Sequence, residues 1–130
     1  MSVDPGIRIL IVDDQDTVLE ILRGILRKLG FRNVDTAKDG NEALQRMKKA
    51  IFRYGLVISD WNMQPLTGLE LLEAVRGDPR LARTPFIMIT GENTKDRVLE
   101  ARDAGVTSYI TKPFSAEGVK RRLEAVLGEF

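Results

Sequence analysis

The 130-residue sequence contains no cysteine and no histidine. Without cysteine there can be no disulfide, no thiol nucleophile and no Cys-based metal site. That usage suits a reducing compartment, and the cytoplasm is the expected location. Without histidine, a Ser-His-Asp triad, an imidazole general base, a His-ligated zinc and a phosphohistidine are all excluded within the chain. A large charge of one sign is missing too: 20 Lys+Arg stand against 19 Asp+Glu, for a net charge of +1. No bulk attraction to nucleic acid or to an anionic membrane follows, and no nucleic-acid partner is expected. No apolar run reaches the length of a membrane span, and the start lacks the basic and apolar pattern of a signal peptide, so membrane insertion is not expected. Chemistry is left to carboxylates, hydroxyls, lysine and a hard cation.

What is present is an ordinary globular balance, 43% hydrophobic and 30% charged residues, at a length suited to one domain. Residues 1–6, with Asp4-Pro5-Gly6, read as a loose tail, and 7–130 as a single domain. Within it, strand-like and helix-like segments alternate five times. The β-branched run Ile7 to Val12 is expected to be a strand buried on both faces. Asp16 to Leu29 follows, with Val18, Leu22, Ile25 and Leu29 at helical spacing and Gly30 as a stop. Val34 to Ala37 is a short strand. Asp39 and Glu42 then cap a helix striped with Ala43, Leu44, Met47 and Ile51. Leu56 to Ser59 is the third strand, and Thr67 with Glu70 opens a helix carrying Leu71, Leu72 and Val75. Phe86 to Ile89 is the fourth strand, and Asn93 with Asp96 opens a polar helix ending near Gly105. Ser108 to Thr111 and Ser115 to Leu127 complete the series. This alternation predicts an α/β fold, one doubly wound five-stranded parallel sheet with five helices. Right-handed crossovers place every strand's C-terminal end along one edge, where such sheets bind their ligands.

The residues just past the strands make that edge chemically coherent. Strand one ends in Asp13-Asp14, strand three in Asp60, strand four in Thr90-Gly91 and strand five in Lys112-Pro113. Crowded acids repel, and a hard cation such as Mg²⁺ compensates while keeping positions for water and substrate oxygens. Lys112 and the Thr90 hydroxyl remain for an anion, and a phosphoryl group suits metal, ammonium and hydroxyl together. Asp13 and Asp14 can share a cation from one loop. Asp60 stands alone at the sheet's centre as the candidate nucleophile, forming a labile acyl phosphate. Taken singly, each residue has a plainer reading: Asp13-Asp14 as helix-capping and turn chemistry, Asp60 as a turn residue, Thr90 as a backbone-satisfied hydroxyl, Lys112 as a solvated charge. Trp61 is either a loop cover or a partly exposed aromatic. Convergence on one edge in strand order overrides these readings.

At these residues the sequence resembles a response-regulator receiver domain of the stand-alone, CheY-like chemotaxis type, with the flavodoxin-like fold of that family. The resemblance rests on Asp13-Asp14, the stretch Val57 to Met63, Thr90 and Lys112-Pro113-Phe114, and it covers essentially the whole chain. It implies a phosphoacceptor signalling protein rather than a classical enzyme, one that catalyses only its own phosphorylation and dephosphorylation. Asp60 would accept the phosphoryl group from a sensor histidine kinase or phosphotransfer protein. Mg²⁺ would be held by Asp13, Asp14, Asp60 and the Asn62 backbone carbonyl, with Asp14 the more direct ligand of the first pair. Lys112 would contact the phosphoryl group, Thr90 would swing inward to it, and Tyr109 would follow. The Lys112-Pro113 bond would be cis. The face built from helix four, strand five and helix five would then select a downstream protein.

Two departures from the family pattern are visible. Gln64 stands where the loop proline is usual, with Pro65 one place later, and Thr67 replaces a common acid before Gly68. The first leaves the loop's shape open, whereas Thr67 can still cap a helix. Asn62 and Glu92 occupy positions that tune dephosphorylation in the family, and their identities imply a short-lived phosphorylated state. A rival reading is a haloacid-dehalogenase-like phosphatase, since Asp14-Gln15-Asp16-Thr17-Val18 matches its D-x-D-x-[T/V] signature, with Asp14 as nucleophile and Asp16 as general acid/base. That reading lacks a later acidic pair and leaves Asp60 unexplained. Another rival is a receiver fold used only for docking, which predicts an eroded acidic site. No output domain is expected after Phe130, so the output is a protein contact or phosphoryl relay. The polar fourth helix (Lys95, Asp96, Arg97, Glu100, Arg102) reads as a solvated face.

Overall fold

Five strands alternate with five helices in the computed structural model, which describes residues 6–91 and 95–128. They run β1 (Arg8–Val12), α1 (Asp16–Lys28), β2 (Asn33–Ala37), α2 (Gly40–Lys49), β3 (Leu56–Asp60), α3 (Gly68–Gly77), β4 (Phe86–Thr90), α4 (Lys95–Asp103), β5 (Ser108–Thr111) and α5 (Ala116–Leu127). Residues 1–5 of the expected tail, together with Glu92 and Asn93, lie outside the described residues. All strand pairings are parallel, in the order β2-β1-β3-β4-β5. The chain therefore has the doubly wound, flavodoxin-like architecture expected of it, and the winding reverses between β1 and β3.

Strand side chains alternate faces, which explains how apolar runs are buried on both sides. Ile9, Ile11, Leu56, Ile58, Ile87, Ile89 and Ile110 pack with Leu19, Leu22 and Leu26 of α1 and Val119 and Leu123 of α5. Leu10, Val12, Val57, Phe86 and Met88 pack on the opposite face with residues of α2, α3 and α4. The buried stripe of α1 is Leu19, Leu22 and Leu26; Val18, Ile25 and Leu29 are only partly buried at its margin. No helix among the described residues is long and apolar enough to cross a membrane.

Local chemistry starts and stops the helices. Asp39 accepts from the Glu42 N–H at 2.8 Å, while the Glu42 carboxylate reaches back to the Lys38 N–H. Thr67 and Glu70 form a complete capping box at α3, so the departure at Thr67 leaves that cap intact. Ser115 caps α5 through the Gly118 N–H. Gly30, beyond α1, has φ of 101°, a left-handed conformation that glycine adopts without steric cost. Ile51 departs from expectation: Ala50 is extended, α2 stops at Lys49, and Ile51 is 91% exposed instead of lying on the buried stripe. The Gln64-Pro65 and Lys112-Pro113 peptide bonds are both cis.

Candidate functional site

Strand register brings the site residues together. Val12 pairs with Ser59, so Asp13, one step on, comes level with Asp60. Asp60 pairs with Ile89 and Thr90 with Thr111, so Thr90 and then Lys112 follow as the next steps along the edge. Backbone hydrogen bonds continue the ladder past the strands: Asp13 N to Ala37 O at 3.1 Å, Trp61 N to Ile89 O at 2.9 Å and Lys112 N to Thr90 O at 2.8 Å. The loop after Asp60 is pinned at both ends, because Gly68 N also donates to Trp61 O at 2.9 Å. At Gly68 a Cβ would stand 2.2 Å from the Asp60 carbonyl oxygen, so only glycine lets α3 come this close.

Asp13, Asp14 and Asp60 each offer a carboxylate oxygen, and the three lie within 4.8 Å of one another. Asp13 and Asp60 are buried, and Asp14 is exposed to solvent. Lys112 Nζ lies 3.1 Å from Asp60 Oδ1 and 3.6 Å from Asp13 Oδ2. Asp13 Oδ1 accepts from the Gln15 N–H at 2.9 Å, while its buried Oδ2 has no hydrogen-bond partner. One ammonium thus faces two buried carboxylates, and burial sets the proton affinities of Asp13 and Asp60. Burial pushes the Asp13 carboxyl from 3.8 to about 6; the Gln15 N–H opposes the rise and the Asp60 charge adds to it. Burial also raises Asp60, against the hydrogen bond and charge of Lys112. Burial alone would lower Lys112, but its contact with Asp60 and the charges of Asp60 and Asp13 outweigh that and hold it above its ordinary range. An excess of negative charge, a buried carboxylate oxygen that accepts no hydrogen bond among the described residues and an all-oxygen donor set fit a hard divalent cation.

Thr90 is buried on the same face as Tyr109, which is partly buried. Thr90, Trp61 and Tyr109, with Arg97, Val98 and Ala101 of α4, wall a cavity of about 10 Å³. Trp61 is 6% exposed, which decides for the loop cover over the partly exposed aromatic. Arg97 is not simply solvated: its guanidinium carbon lies 4.4 Å from the Trp61 ring centroid, and it donates to Asn62 Oδ1 at 3.4 Å. Sequence periodicity carries no signal for this pair, because it joins residues 35 positions apart. Asp16 stays outside the carboxylate group and is exposed on α1, paired with Lys38 at 3.0 Å. The phosphatase reading, which needs Asp16 as its acid/base, has no support in that placement. The acidic site is intact, against the docking-only reading.

The family model for the response regulator receiver domain matches residues 9–124. The chain is 43% identical over 119 residues to the chemotaxis protein CheY of Pseudomonas aeruginosa, covering 92% of this chain and 94% of that protein. Its structure is similar to that of the chemotaxis response regulator CheY4 of Vibrio cholerae, with a TM-score of 0.86, 35% identity, and 94% and 99% of the two chains covered. It is also similar to the receiver domain of a sensor histidine kinase from Pseudomonas aeruginosa, solved with a magnesium ion coordinated in its active site cleft. There the TM-score is 0.84 at 27% identity, over 95% and 99% of the chains.

Proposed function

From the premise that this chain belongs to the response regulator receiver domain family, with its role in two-component signalling, we propose that Asp60 accepts a phosphoryl group from a histidine kinase or phosphotransfer protein. The observation that carries the assignment is the placement of Asp60: buried at the sheet edge, grouped with Asp13 and Asp14, and paired with Lys112 at 3.1 Å. Receiver domains are phosphoacceptor signalling proteins rather than classical enzymes. The unit taken to perform this role is 7–130.

An Asp60 carboxylate oxygen attacks phosphorus, and the bond from phosphorus to the donor's imidazole nitrogen breaks with its electron pair leaving on that nitrogen. For this Asp60 must be ionised, and Lys112 opposes the burial that would protonate it. Asp13, Asp14, Asp60 and the Asn62 carbonyl would hold Mg²⁺, which would supply positive charge to offset the crowded carboxylates and the phosphoryl oxygens. The Lys112 ammonium is the chain's own cation for those oxygens, and the Thr90 hydroxyl is a further donor. New charge-assisted hydrogen bonds at Thr90 and Lys112 bias the packing of Tyr109. The α4-β5-α5 face then reads out the change to a downstream protein, in a cytoplasmic chemotaxis-type pathway with a short-lived phosphorylated state.

The test uses acetyl phosphate as donor and intact mass as readout. Wild type gains one phosphoryl group with Mg²⁺ and little without it, and Asp60→Asn gains none; equal labelling of Asp60→Asn refutes the assignment.

A further inference from the structure

The net charge of +1 conceals how unevenly the cations are placed. Residues 21–34 and 43–59 contain no Asp or Glu. These stretches run from α1 into β2 and from α2 into β3, so their turns lie where helices end and parallel strands begin, at the edge of the sheet opposite Asp60. Arg27, Lys28, Arg32, Lys48, Lys49 and Arg53 are all exposed there, and none forms an ion pair among the described residues. Cations favour helix C-termini, which accounts for Arg27, Lys28, Lys48 and Lys49. Arg32 and Arg53 lie outside any helix and have no such reason. Beside them Ile51 and Phe52 are 91% and 74% exposed. That exposure is built in. The Arg8 guanidinium donates to the Phe52 carbonyl, pairs with Asp35 at 3.0 Å and stacks on Tyr54 at 4.4 Å. The turn is thereby tied to β1 while both apolar side chains stay outside the core. Depressions bordered by Arg46 and Ala50 on one side and by Ile7 and Phe52 on the other leave the turn as a ridge.

We propose that this pole is a membrane-surface contact: the cations draw the domain to anionic lipid headgroups, and Ile51 and Phe52 enter the boundary between headgroups and acyl chains. The chemistry favours lipid over an acidic protein. Protein interfaces are depleted in lysine and seat their apolar anchors in matching pockets. An anionic bilayer asks instead for unpaired cations around protruding apolar side chains. Each cation near such a surface is worth about fivefold in partitioning, and stable attachment takes both kinds of signal. No spanning segment is involved. Asp60 ends β3, which begins at Leu56 beside this pole, so the carboxylate site stays open to a phosphoryl donor while the opposite pole rests on lipid.

The experiment sediments the full chain with vesicles of phosphatidylcholine, alone or with about 30% phosphatidylglycerol. Wild type is expected to bind the anionic vesicles, and about tenfold less to the neutral ones or at high salt. Ile51→Ser/Phe52→Ser, which removes exposed apolar groups, is expected to weaken binding about tenfold, and Lys48→Gln/Lys49→Gln/Arg53→Gln by at least as much. Both variants should keep the wild-type urea midpoint and acetyl phosphate labelling, since they touch neither the core nor Asp60. An Ile51→Trp variant reads the contact directly: its emission should shift to the blue on adding anionic vesicles, beyond any change in wild type. Unchanged emission, or no sedimentation with anionic vesicles, overturns the proposal. So does sedimentation that survives Ile51→Ser/Phe52→Ser, which would reduce the contact to charge alone. Binding to soluble polyglutamate, with the vesicles left unbound, would assign the face to an acidic protein and overturn the lipid reading.

Discussion

Replacing Asp13 by asparagine should stabilise the metal-free protein at neutral pH. Asp13 is 1% exposed, and its carboxyl rises from 3.8 to about 6 on folding. A folded-state value above the unfolded one means that the native state binds the proton more tightly. The Asp13 contribution to stability is therefore fullest below the unfolded value of 3.8 and is lost as pH climbs through about 6. At about 1.36 kcal/mol per pH unit, keeping Asp13 ionised in the fold costs about 3 kcal/mol, roughly half of it accruing above pH 5. Asp60, raised in the same direction, adds to the fall. Between pH 5 and 8 the Asp13 contribution is read apart from two others among the described residues. Asp35, held low by Tyr54 and Arg8, loses its contribution only at more acidic pH, and Lys112 only at alkaline pH. The amide introduced by Asp13→Asn would keep an oxygen for the Gln15 N–H but forgo the 3.6 Å attraction to Lys112, so the net gain at pH 7.5 should be about 1–2 kcal/mol. Urea unfolding in EDTA at pH 5, 6.5 and 8 measures it. Wild type should lose stability across this range, and Asp13→Asn should show a shallower slope and a higher midpoint at pH 8. Added Mg²⁺ should raise the wild-type midpoint at pH 8 more than that of the variant. Parallel pH profiles for the two proteins would refute the reasoning.

Lys112→Met leaves Asp60 and Asp13 without their only cation among the described residues within 4 Å. It should cost about 1–2 kcal/mol at pH 7.5, less at pH 5 where the Asp13 carboxyl takes up a proton, and slow labelling by acetyl phosphate; urea midpoints at both pH values check this. Gly68→Ala places a methyl 2.2 Å from the Asp60 carbonyl oxygen and 2.9 Å from Met88 Sδ. Forcing α3 outward should cost about 1–3 kcal/mol and reduce the rate of Asp60 labelling, measured side by side with a Gly77→Ala control, where a Cβ meets nothing within 4 Å.

The sheet was legible because its central strands β1, β3 and β4 are apolar on both faces and three of its helices carry explicit caps: Thr67 with Glu70, Asp39 with Glu42, and Ser115. The site was legible for a topological reason. Parallel strands send Asp13, Asp60, Thr90 and Lys112 to one edge, so a residue list in strand order anticipates a three-dimensional cluster. Ile51 misled because helical spacing persists past the point where Ala50 turns extended, and spacing alone does not say where a helix stops. The margin of α1 shows the same limit, with Leu19 and Leu26 taking the deepest positions in place of Val18 and Leu29. Side-chain partnerships across elements were not readable at all. Arg97 looked like one more charge on a solvated helix, yet it lies on Trp61. Arg8, at the start of β1, stacks on Tyr54 and pairs with Asp35, which also accepts the Tyr54 hydroxyl at 2.6 Å. Such contacts depend on where long side chains meet in space, and no periodicity encodes that.

The central claim is that the Asp60 carboxylate is the acceptor. Borohydride reduction of the phosphorylated protein cleaves an aspartyl phosphate and leaves homoserine in its place, which peptide mass spectrometry locates by residue. Homoserine at position 60, dependent on Mg²⁺ and on acetyl phosphate, is the expected result; homoserine at position 13 or 14 with Asp60 unchanged would contradict the account.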